Sequence, residues 1–208
     1  MKYVMAIVFA AALMVAAAYP TLAETPVIKQ VEYEGKGRVD VEFVSRVAYE
    51  NVEITVADDA GTSYVPTIWE MDDDDLTFAV ENIAEGRNYS FTISGVRTGF
   101  SGAAETVYGT FAVPATGELA VKGFDYDAKD GELEIEFYGK VEYDNPAVEI
   151  TDASGRSYEV KLRELDRDSM ELRVSGLERG AEYTASVSGV RTFGAADFGS
   201  AQANFIAW

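Results

Sequence analysis

NIAEGRNYSFTISGVRT (Asn82–Thr98) returns as GLERGAEYTASVSGVRT (Gly176–Thr192). At a spacing of 94 residues and without a gap, Gly86 meets Gly180, Tyr89 meets Tyr183, and Ser94 to Thr98 meets Ser188 to Thr192. After the glycine, Tyr89, Phe91 and Ile93 alternate with Asn88, Ser90, Thr92 and Ser94, and Tyr183, Ala185 and Val187 do the same in the second copy. A period of two is that of a strand with one buried face. An apolar residue, Ile83 or Leu177, stands six positions before each tyrosine, and a glycine three before it supplies the positive φ of a tight turn.

These residues have the layout of a tyrosine corner, in which the ring packs in the core and its hydroxyl bonds backbone a few residues upstream. Both segments resemble the corner before the sixth strand of fibronectin type III and other immunoglobulin-like domains. The resemblance implies an all-β fold of two tandem antiparallel sandwiches. It implies no ligand.

The flanking sequence fits. Val31 and Tyr33, then Val39, Val41 and Phe43, then Val52, Ile54 and Val56 alternate with polar residues, with Gly35-Lys36-Gly37 as a turn. Asp58 to Gly61 is turn chemistry, and Tyr64 through Ile68 reads as one strand that Pro66 marks as an edge. Leu76, Phe78 and Val80 precede the corner, and Phe111 and Val113 close the unit. About seven short strands with frequent turn signals are expected of such a sandwich. Phe43 stands where immunoglobulin-like domains often carry a core tryptophan. VDVEF (Val39–Phe43) matches LEIEF (Leu133–Phe137), and SRVAYEN (Ser45–Asn51) matches GKVEYDN (Gly139–Asn145). The expected organisation is a sandwich over residues 24–113, a linker over 114–118 (PATGE), and a second sandwich over 119–208. Two units are too few for a solenoid, so beads on a string is the expected picture.

At the other end, Lys2 precedes an apolar run from Tyr3 to Ala18, then Pro20 and Thr21-Leu22-Ala23. This pattern predicts a secretory signal peptide over residues 1–23, cleaved after Ala23. The run is shorter than the ~20 apolar residues of a spanning helix, so no membrane span is expected in the mature chain. The expected location is secreted: extracellular, at the cell surface or periplasmic. Absence of cysteine excludes disulfides and a lipidated cysteine.

A net charge of −19 argues against nucleic acid or anionic lipid as partner. It suits a cationic partner, calcium or a salty habitat, and it equally suits a plain, well-solvated exported protein. With neither histidine nor cysteine, the commonest bases, thiol nucleophiles and imidazole or thiolate metal sites are missing. Paired carboxylates could serve a glycosidase, but the acids here alternate with apolar residues on strands, so an enzyme is not expected.

Asp72 to Asp75 is the densest acidic run, yet it lacks the spaced ligands and glycine of a known calcium loop, and its counterpart, Asp166-Arg167-Asp168-Ser169, contains an arginine. It reads as a charged hairpin turn. Asp125, Asp127 and Asp130 near the linker form a second candidate, equally well read as a solvated strand end. No metal site or cofactor is assigned, with calcium kept as a candidate assistant.

In an immunoglobulin-like topology the loops after the second and sixth strands gather at one end, where such domains often bind. Those loops hold Arg46, Tyr49 and Phe100 in the first unit, and Lys140, Tyr143, Phe193 and Phe198 in the second. Aromatic rings beside cations there could stack on a sugar or grip a peptide. In the competing reading Tyr49 and Tyr143 fold back over the core. Arg97 and Arg191 of the repeated GVRT are expected to pair with nearby acids. A terminal aromatic such as Trp208 is also seen in outer-membrane barrels, but the duplicated corner fits two sandwiches better. The functional expectation is a non-enzymatic adhesion, binding or spacer module with an unknown extracellular protein or polysaccharide as partner; the alternative is a carbohydrate-binding protein with calcium as a candidate assistant.

Overall fold

A computed structural model describes residues 25–99 and 103–208. The expected signal peptide and Phe100 lie outside the described residues. The first unit contains β1 (Ile28–Gly35), β2 (Arg38–Phe43), β3 (Val47–Asp58), β4 (Ser63–Tyr64), β5 (Pro66–Met71), β6 (Asp75–Val80), β7 (Arg87–Thr98) and β8 (Glu105–Val113). The second contains β9 (Val121–Asp127), β10 (Glu132–Phe137), β11 (Val141–Asp152), β12 (Ser157–Tyr158), β13 (Val160–Leu165), β14 (Ser169–Val174), β15 (Glu182–Thr192) and β16 (Gly199–Ile206). All pairings are antiparallel, in sheets ordered β1-β2-β6-β5 and β4-β3-β7-β8, then β9-β10-β14-β13 and β12-β11-β15-β16.

Each unit is therefore an immunoglobulin-like sandwich with its own core. The first core is built from the residues whose alternation announced it, among them Val39, Val41, Phe43, Leu76, Phe78, Tyr89, Phe91 and Ile93. The second repeats the set with Leu133, Ile135, Phe137, Leu172, Tyr183 and Phe205. Four separate sheets closing two cores are not one barrel. Trp208 lies under the Arg179 guanidinium, 4.2 Å from its ring centroid, beside Gly180.

The corner is formed twice. Tyr89 is 1% exposed, and its hydroxyl accepts from Ala84 N (2.7 Å) and donates to Ala84 O (3.1 Å). The Tyr183 hydroxyl accepts from Glu178 N at 2.6 Å. Burying the ring thus leaves no polar atom stranded.

One expectation is corrected. Tyr64 through Ile68 is two strands, because the chain leaves one sheet for the other at Val65. Tyr64 pairs with Val56 in β3, whereas Ile68 pairs with Phe78 in β6. The Tyr64 ring packs edge-on against Tyr89 at 5.6 Å, and Tyr158 does so against Tyr183 at 5.3 Å. The second unit crosses at Glu159 with no proline, so burial of these tyrosines sets the crossing. Pro66, which cannot donate to a ladder, only reinforces it.

The turn before each crossing is built on an aspartate. Asp152 Oδ1 accepts from Ser154 N, Ser154 Oγ and Arg156 N at 2.9, 2.6 and 3.0 Å, and Oδ2 accepts from the Tyr158 hydroxyl at 3.0 Å. Bonding led by the Ser154 hydroxyl, against some burial, holds its carboxyl down at about 2, below the ordinary 3.8. Between those values the unfolded chain binds more protons than the folded one, so falling pH favours unfolding. The second sandwich is expected to keep this contribution above pH 3.8 and lose it as pH falls through about 2. Asp152→Asn should flatten that part of an acid-unfolding profile followed by circular dichroism; an unchanged profile would refute the assignment.

The units are not independent beads. β1 and β9 lie side by side: Phe124 N donates to Gln30 Oε1 at 3.3 Å, and Tyr33 N donates to the Tyr138 hydroxyl at 3.2 Å. Lys122 Nζ sits between Glu32 Oε2 (3.1 Å) and Glu136 Oε2 (3.0 Å). Gly123 leaves the room this needs, since a Cβ there would strike the Glu32 carboxylate and the Gln30 amide.

Candidate functional site at the loop poles

Three loops meet at one pole of each sandwich. In the first, Gly99 N donates to Arg46 O at 3.1 Å, and Val47 N donates to Asp73 O at 2.6 Å. In the second, Phe193 N donates to Lys140 O at 2.8 Å, and Val141 N donates to Arg167 O at 2.6 Å. The loops after β2 and β7, and after β10 and β15, are therefore adjacent as expected, with the β5–β6 and β13–β14 turns completing the pole.

Within this frame the expected residues divide. Tyr49 and Tyr143 are half-buried against the two cores. Their hydroxyls donate across the sandwich to Asp75 O (2.6 Å) and Ser169 O (2.7 Å). Burial, then Asp166 and Asp168, pushes the Tyr143 phenol up to about 12; burial, then Asp75, Asp72 and Asp74, raises Tyr49 in the same sense. Both hydroxyls thus tie β3 to β6 and β11 to β14. Arg46 is exposed and pairs with Asp73 at 3.2 Å. Phe100 lies outside the described residues.

The second pole is the more open one. Phe193 is 67% exposed, and Lys140 beside it is exposed with no acidic partner among the described residues. The Arg191 guanidinium stacks on the part-exposed Phe198 ring at 4.3 Å. Its Nε donates to Glu142 Oε2 at 2.8 Å and its Nη1 to Ala196 O at 3.1 Å, which pins the β15–β16 loop from inside. Arg97 makes the looser equivalent with Glu50 at 3.5 Å. Two exposed rings on the braced loop, with Arg191 of β15 and Lys140 of the β10–β11 connection beside them, form a surface able to stack on a flat ring or hold an acidic or aromatic group.

Asp125 lies within β9 opposite Glu134, and the other acidic candidates form turns. Asp72 N donates to Asp75 O at 3.0 Å, closing the β5–β6 hairpin. Asp127 Oδ1 accepts from Lys129 N at 2.8 Å and Asp130 N at 3.4 Å. Among the described residues no group of three or more acidic side chains is placed to hold a metal ion. No helix among them is long and apolar enough to cross a membrane.

Sequence reasoning passed over two features. Arg191 pairs with an acid as expected, but no local pattern marks that acid as Glu142, far off in sequence, or the pair as a brace for the β15–β16 loop. Trp69, 64% exposed on β5, was overlooked, although the 94-residue alignment sets it against Arg163 and so flags it as a position where the units differ.

No protein-family profile matches the chain, and comparison with curated proteins finds no match. Its similarities lie among solved structures. A biofilm-associated protein BSP domain is 15% identical with a TM-score of 0.37, over 88% of this chain and 29% of that one. A two-fibronectin-type-III segment of chicken tenascin is 15% identical with a TM-score of 0.28, over 86% of this chain and 98% of that one.

Proposed function

We propose that this chain is a secreted, non-enzymatic adhesion or binding module, with sandwiches over residues 24–113 and 119–208 joined at 114–118. It presents the loop pole of the second unit to an extracellular protein or polysaccharide. The observation that carries this reading is the braced cluster of Phe193, Phe198, Lys140 and Arg191, in which one ring faces solvent and a cation beside it has no internal partner. Arg46, Tyr49 and Phe100 belong to the corresponding pole of the first unit. The missing histidine and cysteine support a role without catalysis.

Exposed rings on a rigid loop favour a sugar ligand as the narrower reading, because aromatic faces stack on pyranose rings at small entropic cost. Purified protein beginning at Glu24 is expected to pellet with insoluble cell wall or polysaccharide. Phe193→Ala with Phe198→Ala should weaken binding by about tenfold or more, the loss expected when exposed aromatic anchors are truncated. Full retention in the double variant would move the contact surface off this pole. Pelleting abolished by a chelator would support calcium assistance, and pelleting indifferent to it would remove calcium from the reading.

A further inference from the structure

We propose that the β5 edge of one copy pairs with the β13 edge of a second copy, joining the chains head to tail. The proposal is independent of the loop poles. Both strands are terminal in their sheets, so each turns one row of backbone N–H and C=O groups away from its only neighbour. Such a row is a template for another strand. Six of the ten large hydrophobic side chains exposed among the described residues lie on or beside these two edges: Val65, Ile68, Trp69, Met71, Leu162 and Leu165. Val65 is 88% exposed.

The repeat makes the choice of partner. At the 94-residue spacing, Val65, Thr67 and Trp69 of the first unit stand where the second has Glu159, Lys161 and Arg163. Charged residues, lysine above all, are the usual guard against edge pairing. β13 carries that guard as cations, Lys161 and Arg163, whereas β5 carries it as Pro66 and the acidic Glu70, so each edge is guarded chiefly against its own kind. The strands themselves differ in charge as well. β5 contains Glu70 and runs into Asp72 to Asp75, whereas β13 carries Lys161 and Arg163 against Glu164, with Arg167 and Arg173 nearby among Glu159, Asp166, Asp168 and Glu171.

Pairing β5 with a second β5 would bring two acidic runs together in a chain already at −19. Pairing β5 with β13 brings Glu70 and the acidic run toward Lys161 and Arg163, so that Lys161 exchanges its pair with Glu159 (3.2 Å) for one across the contact, while Trp69, already under the Arg38 guanidinium at 5.6 Å, adds apolar area. The two strands have equal length, six residues each. Each has one register irregularity, spanning Trp69 or Arg163, so the new ladder would be confined to the residues on either side. Because the two surfaces differ, the contact leaves one edge open at each end and does not close.

Sedimentation velocity tests this. The protein beginning at Glu24 is expected to gain mass above the monomer as concentration rises to roughly 100 μM, the range of weak interfaces of this size, and to lose it in high salt. Val65→Lys with Trp69→Lys should stay monomeric, and so should Lys161→Glu with Arg163→Glu, each with an unchanged circular dichroism spectrum. Mixing the two monomeric variants should restore association, since each supplies the edge the other lacks. A monomeric wild type over this range would overturn the proposal. So would self-association of the Lys161→Glu, Arg163→Glu variant, which would mean β5 pairing with β5, or a mixture that remains monomeric.

Discussion

Alanine at Gly95 is expected to destabilise the first sandwich by ~3 kcal/mol, and alanine at Gly189 to do the same to the second, combining left-handed backbone strain with the displacement of a paired strand. Gly95 has φ +80°, and a Cβ built there would lie 2.2 Å from Glu50 O and 3.1 Å from Asn51 O. Those are backbone atoms of β3, so no side-chain rotation relieves the clash. At Gly189 the corresponding atoms are Asp144 O at 2.5 Å and Asn145 O at 3.0 Å. The register of each pair is irregular at this point, and Asn51 and Asn145 themselves have positive φ, 50° and 47°. The repeated SGVRT therefore records a bulge in which a glycine lets the opposite strand approach. For units of this size the loss corresponds to a fall in melting temperature on the order of 15 °C. Differential scanning calorimetry of the two single variants should show each lowering the transition of its own unit. A shift of under about 1 kcal/mol would refute this account of the repeat.

Lys122→Ala should uncouple the sandwiches, at a cost of ~2 kcal/mol in the free energy that links their unfolding, because a part-buried carboxylate loses its partner. Burial opposes the charge on Lys122, but the hydrogen bonds and fields of Glu136 and Glu32 outweigh it and raise its pKa. Glu32 is raised as well, first by burial, with Lys122 holding it partly down. Without the lysine, Glu32 and Glu136 face each other as like charges, and Glu32 rises further. The expected readouts are a larger radius of gyration in small-angle scattering at neutral pH and two resolved unfolding transitions. Lower pH should restore compactness, since a carboxyl with a raised pKa sheds its unfavourable charge as pH falls. A radius unchanged from wild type at neutral pH would show that Lys122 does not hold the junction.

Much of the fold was legible because its signals are local. The alternation at Tyr89-Phe91-Ile93 reports one buried face, and the glycine three residues before each tyrosine reports a turn; both depend on neighbours a few residues away. The single strand read through Tyr64 to Ile68 failed for the opposite reason. Alternation gives the faces of a strand and not its partner, so a change of sheet at Val65 leaves the pattern intact. The loop-pole residues were legible as a set through the resemblance, but their roles were not. Tyr49 and Tyr143 carry the same sequence signal as Phe193, an aromatic in a loop region, yet their hydroxyls reach Asp75 O and Ser169 O while Phe193 faces solvent.

By itself, then, the sequence determined that there are two all-β units with the same corner, glycines and core positions, because period, turn chemistry and repetition are written along the chain. Only the tertiary structure decided that β4 and β5 belong to different sheets, that Lys122 locks β9 to β1, and that Arg191 braces the loop bearing Phe198. Each of these joins residues distant in the chain, and each depends on which groups burial brings within hydrogen-bonding or stacking distance.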